Sequence, residues 1–184
     1  MIAAYTSSEL FSIFMMQGFA GLSLFSVLVL MALGMAIIFG QMGVINMAHG
    51  EFMAAGAYTV YLCSTLTTKY APALQPYYFL IAIAVAFVVA GLLGWLVEWA
   101  LIRFLYRRPL DTLLATWGLS LILQQTYRSL FGAREVTPTL PDWLMGSFKP
   151  TESIDIPING VFVMGLTLFM TAGVLLFTFR TRLG

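Results

Sequence analysis

Of the chain's 184 residues, 60% are hydrophobic and only 9% charged. A soluble domain carries about 25% charged residues, so this chain cannot cover a water-facing surface and reads as a membrane protein. Its formal net charge of +1 gives no reason to expect a nucleic-acid partner, and the lone Cys63 excludes an intramolecular disulfide.

A spanning helix needs roughly 20 mostly apolar residues. About five such runs follow in chain order, over 17–39, 43–63, 79–101, 112–131 and 160–179. The N-terminus has no basic segment before its first apolar run, so that run is expected to be a retained helix, starting as early as Ile13, and not a cleaved signal peptide. It carries Ala32, Ala36 and Gly40 at four-residue spacing, the small-residue pattern that lets helix backbones approach closely in lipid.

The second run is the least apolar, because it opens inside the polar segment Gly40–Gly56. Asn46, His49 (the only histidine) and Glu51 lie there between long apolar stretches, beside Gly43, Gly50 and Gly56. Glycine inside a helix costs about 1 kcal/mol relative to alanine, so the crowding points to a broken or closely packed helix. Such breaks are tolerated at membrane depth only where protein or a water-filled cavity meets the freed backbone groups. If the segment is helical, Asn46, Gly50 and Met53 share a face with His49 beside it, while Glu51 points toward the side of Val44 and Ala48. Two readings stand side by side. Asn46 and His49 border a solute pathway while Gly43, Gly50, Glu51 and Gly56 shape or gate it, or all of them cap and brace the bundle near one membrane face.

After a break over 67–76, the third run repeats small residues at Ala82, Ala86, Ala90 and Gly94, again a helix-contact face. Arg103, Arg107 and Arg108 cluster in the next connection, and Arg180 and Arg182 close the chain. The positive-inside rule places both clusters in the cytoplasm, with the N-terminus outside. The fourth run carries a polar stripe, Thr112, Thr116, Ser120, Gln124 and Arg128, with Trp117 and Gln125 alongside. Four residues turn about 400°, so the stripe slants slowly round the helix. Its hydroxyls and amides serve either as replacement hydrogen-bond partners for a small polar solute or as bonds between helices. The connection 132–159 holds Pro138, Pro141, Pro150 and Pro157, and it sets Arg134 and Lys149 against Glu135, Asp142, Glu152 and Asp155. It reads as an external loop on the membrane surface. The expected fold is all-α, a polytopic transmembrane helix bundle in a single domain over 1–184.

Several chemistries are set aside. Neither lysine, Lys69 nor Lys149, follows a glycine, so no phosphate-binding P-loop is present. One histidine and one cysteine cannot build a usual zinc site. Gly118-Leu-Ser120-Leu does not complete a nucleophile elbow. No catalytic or metal-binding residues are expected.

The run Gly43-Val-Ile-Asn-Met-Ala-His-Gly-Glu-Phe52, followed by Gly56-Ala-Tyr58, resembles the membrane permeases of the branched-chain amino-acid ABC transporter family. Within it, the segment from Arg108 to Gln125, with Phe131-Gly-Ala-Arg-Glu135 and Leu140–Gly146, looks most like the urea-transporter branch. The resemblance implies a multi-pass subunit of the bacterial inner membrane and import of urea, with branched-chain amino acids or short amides as the alternative substrates and a passive urea channel as a rival. It implies a second related permease, two cytoplasmic ATPase subunits that use ATP, and a periplasmic solute-binding protein. This chain itself is expected to bind no cofactor. Family members run longer, with further helices beyond the position of Gly184.

Overall fold

The computed structural model describes residues 6–106, 108–151 and 154–180. Arg107, Glu152 and Arg182, which enter the charge reading above, lie outside them. The order of elements is α1 (Ser7–Met42), α2 (His49–Tyr70), α3 (Tyr78–Ala100), α4 (Pro109–Phe131), α5 (Asp142–Met145), β1 (Ser147–Thr151), β2 (Ile154–Pro157) and α6 (Ile158–Arg180). Single 3₁₀ turns over Pro72–Leu74 and Ile102–Phe104 follow α2 and α3.

Each of the expected runs holds one long helix, with shifted boundaries. α1 begins well before residue 17 because Thr6 and Glu9 form half of a capping box: the Thr6 backbone N–H donates to the Glu9 carboxylate at 2.7 Å. With 36 residues it is longer than the roughly 20 that the hydrocarbon layer requires. It stops at Gly43, whose φ of +63° is left-handed and free of penalty only for glycine. Pro109 opens α4 at its first turn, and Gly132, at φ +87°, closes it.

Among the described residues, three helices are long and apolar enough to cross a membrane: Glu9–Gln41, Tyr78–Phe104 and Ile158–Arg180. Their outer faces carry residues such as Phe87, 81% exposed, and Phe169, 74% exposed. Apolar surface on this scale is a liability in water and suits lipid. α2 and α4 are close to α3 and α6 in length but hold more hydroxyls and amides. Several of the hydroxyls are satisfied locally: Thr59, Thr65, Thr67, Thr68 and Thr126 each donate to the carbonyl four residues back, at 2.6–2.9 Å.

The described chain forms two compact units, one of residues 1–34 with 142–184 and the other of 35–141. In the first, α6 lies close against α1. A Cβ on Gly160 would come within 2.8 Å of the Phe19 ring, and Thr167 donates to the Ser26 carbonyl at 3.2 Å. The second half of the 132–159 connection is more ordered than the loop expected from sequence. It carries α5 and an antiparallel hairpin that pairs Ser147 with Pro157 and Phe148 with Ile156. In the second unit α2 packs most extensively on α3. Ala82, Ala86, Ala90 and Gly94 form the less exposed side of α3, with Ala82 fully buried, as their spacing suggests. Thr139 ties the chain after α4 to this pair. Its hydroxyl meets that of Ser64 at 2.7 Å, and its carbonyl accepts from Tyr78.

Candidate functional site

The polar segment is a true break between helices. Residues 43–48 leave the helical path and run partly extended. Val44, Asn46 and Ala48 are buried, while Ile45 and Met47 are exposed, the alternation of an extended strand. The expectation of a shared helical face for Asn46, Gly50 and Met53 is therefore corrected: Asn46 precedes the helix. Its Oδ1 accepts from the Ala48 N–H at 2.9 Å, a local Asx turn that steers the chain into α2. The Met47 N–H, which the break frees, donates to Thr116 Oγ1 on α4 at 3.2 Å. Protein here meets backbone groups that the break exposes, the condition for tolerating such a break at membrane depth.

Glu51, in the first turn of α2, fastens the same two elements. Its Oε1 accepts from Ser120 Oγ at 3.1 Å and from Gln124 Nε2 at 2.8 Å. Gln124 also donates to Ser120 at 3.2 Å, and Tyr127 donates to the Glu51 carbonyl at 3.0 Å. Higher up, Tyr58 stacks on Phe131 with ring centroids 4.2 Å apart. Thr112, Thr116, Ser120 and Gln124 of the α4 stripe thus bond to neighbouring groups, while Arg128 lies exposed. Thr112, Thr116 and Ser120 are buried, and Thr112 donates to the carbonyls of Leu105 and Arg108 at 2.9 and 3.0 Å. Of the expected pathway residues, Asn46, Thr116, Ser120 and Gln124 gather around Glu51 and the break. Trp117 and Gln125 do not join them and lie exposed on other faces of α4.

The glycines divide. Gly43 is required by its backbone angle. A Cβ added at Gly50 or Gly56 would meet nothing within 4 Å, so no close approach among the described residues demands glycine there.

His49, the first residue of α2, stands apart from the clasp. It lines a cavity of about 450 Å³ shared with Asn46, Trp95 and Glu98 and walled by apolar side chains including Phe52 and Ile102. Its Nδ1 is buried and has no hydrogen-bond partner among the described residues, a state that costs about 1–3 kcal/mol. Glu98 accepts a long hydrogen bond from the Tyr106 hydroxyl at 3.4 Å. Desolvation, reinforced by the Glu98 carboxylate, raises that hydroxyl above its usual value near 10, so at neutral pH it holds its proton and acts as a donor. Sequence reasoning passed over Glu98 and Tyr127. The signal for Glu98 was its place as an acid inside the third apolar run; Tyr127 lies one position off the four-residue stripe and had none. A second cavity, about 770 Å³, lies in the other unit between α1 and the hairpin and is lined by Ser23, Asp155 and Asn159 among others. Among the described residues no group of histidine, cysteine and acidic side chains could hold a metal.

Comparison with known proteins gives concordant results. The family described as "Branched-chain amino acid transport system / permease component" matches residues 18–184. The chain is 31% identical over 180 residues to the high-affinity branched-chain amino acid transport system permease protein LivH of Escherichia coli, covering 89% of this chain and 56% of that protein. It is 29% identical over 173 residues to the permease protein BraD of Pseudomonas aeruginosa, with 89% and 54% covered. The chain spans about half the length of the curated relatives it matches. No solved structure matches it significantly.

Proposed function

Because this chain belongs to the permease-component family of branched-chain amino acid transport systems, we propose that it forms the membrane-spanning part of an ATP-driven importer for branched-chain amino acids. The supporting observation is its likeness, along 89% of its length, to permeases named for that cargo. Urea, favoured on the Arg108–Gln125 segment, gives way to the alternative substrate for a physical reason as well. Thr112, Thr116, Ser120 and Gln124 of that helix, offered above to a small polar solute, bond to Glu51, Met47 and backbone carbonyls, while Gln125 stays exposed.

In this reading the chain is a multi-pass protein of the bacterial inner membrane, with its N-terminus outside and Arg103, Arg108 and Arg180 toward the cytoplasm. ATP is hydrolysed on two cytoplasmic partner subunits, in keeping with the missing P-loop. A second related permease completes the path, and a periplasmic binding protein delivers the solute. The Glu51 clasp holds the α1–α2 break against α4, so the break keeps a defined shape while neighbouring helices move.

The test is uptake of labelled leucine and labelled urea in cells that lack their own carriers for both and express this chain with its partner subunits. Leucine uptake that disappears when the partner ATPases are inactivated is the expected result. Urea uptake without leucine uptake overturns the proposal, and ATP-independent flux through this chain alone identifies a passive channel instead.

A further inference from the structure

We infer that the cavity at the start of α2 is a binding station for a zwitterionic amino acid with a branched apolar side chain, with Glu98 receiving the ammonium group and the His49–Asn46 side receiving the carboxylate. The inference rests on the function proposed above and adds a place and a set of contacts to it.

Three observations converge. Glu98 is a half-buried carboxylate with no cationic partner among the described residues, in a wall whose remaining lining holds no lysine or arginine. The Tyr106 hydroxyl bonds this carboxylate without compensating its charge, and a primary ammonium supplies an opposite one. Opposite in character, His49 and Asn46 can both donate to an anion: His49 through its imidazole, and Asn46, whose Oδ1 is taken by the Ala48 N–H, through its amide NH2. His49 also has a buried, unpartnered imidazole nitrogen, and a ring flip exchanges the positions of its nitrogens and carbons. The remaining walls, among them Ile38, Phe52, Val97 and Ile102, are apolar.

A volume of about 450 Å³ lies within the usual range for small-molecule sites, roughly 300–1,000 Å³. A cavity lined by a carboxylate, by donors to an anion and by apolar side chains has a group for each part of leucine, isoleucine or valine. Urea has no charge for Glu98 and no apolar body for the walls. A lipid acyl chain would satisfy the walls and leave the His49 nitrogen without a partner and the Glu98 charge without a counter-charge.

The experiment uses the assembled transporter in proteoliposomes, with leucine as the probe. Glu98→Gln keeps the shape and removes the charge. It is expected to raise the KM for leucine at least about tenfold, the scale of one lost charge-assisted hydrogen bond, with little change in kcat. It should also narrow the preference for leucine over 4-methylpentanoate, the same skeleton without the ammonium, as competing ligand. A purely structural role for Glu98 would not move that preference. In a second measurement, maleimide labelling at Ala90→Cys, made in a Cys63→Ser background, should be slowed by leucine and not by urea. Leucine transport with an unchanged KM in the Glu98→Gln protein and no protection at position 90 overturns the station while leaving the proposed function standing. Absence of leucine transport in the unmodified assembly removes both. If Glu98→Gln fails to assemble, protection at position 90 decides alone, since it needs no loss of function.

Discussion

Replacing Glu51 with alanine removes the acceptor shared by Ser120 at 3.1 Å and Gln124 at 2.8 Å. In a soluble protein each hydrogen bond to a charged group contributes about 1.5–3 kcal/mol. In lipid the unfolded helices find other partners, and measured couplings between helices average about 0.6 and reach about 1.7 kcal/mol. Ser120 is buried and its donor has few alternatives, so the Glu51–Ser120 coupling belongs in the upper half of that span, about 1–1.7 kcal/mol. The assay is a double-mutant cycle with Glu51→Ala, Ser120→Ala and the pair, each followed by equilibrium unfolding in mixed micelles titrated with SDS. A coupling of this size changes the unfolding equilibrium roughly five- to twentyfold. Independent sites add within about 0.3–0.5 kcal/mol. Additivity within that margin would refute the clasp as the fastening between α2 and α4.

Further predictions follow from the same geometry. Gly43→Ala should destabilise by about 1–2 kcal/mol, the cost of a side chain at a left-handed φ, whereas Gly50→Ala should be neutral or slightly stabilising; the same unfolding titration compares them. Thr116→Val strands the Met47 N–H and should cost about 1–3 kcal/mol, with faster amide exchange at residues 43–48 as its signature. Gly160→Ala pushes a Cβ into the Phe19 ring and should cost about 1–3 kcal/mol, read as a lowered midpoint in thermal unfolding. Tyr78→Phe removes the donor to the Thr139 carbonyl, at about 0.5–1.5 kcal/mol, and should increase proteolysis after Gly132.

The helices were legible because lipid enforces length and apolarity, and the spacing of Ala82, Ala86, Ala90 and Gly94 declared the contact side of α3. The helix boundaries were less so. Hydropathy does not record that Thr6 and Glu9 cap α1 outside the apolar run, or that a φ of +63° at Gly43 ends it. The polar segment declared its importance and hid its form. A helical projection placed Asn46 on a face, although its side chain is occupied in turning the backbone before the helix begins. The stripe on α4 has the four-residue period of a contact surface and of a pathway alike. The positions of Glu51 and Met47 show which of its groups bond to neighbours. The hairpin at 147–157 is short, with Pro150 inside β1 and Pro157 at its end, and the alternation of Ile154 and Ile156 with Asp155 was its faint signal. Glu98 and His49 are far apart in sequence, and their common cavity exists only once α2 folds back on α3.

The central claim is ATP-driven import of branched-chain amino acids through this chain, and reconstitution tests it most directly. With the second permease, the two ATPase subunits and the solute-binding protein present in proteoliposomes, labelled leucine should accumulate against its gradient only when ATP is supplied on the ATPase side. Accumulation that does not require ATP, or ATP-dependent accumulation of urea with none of leucine, would contradict it.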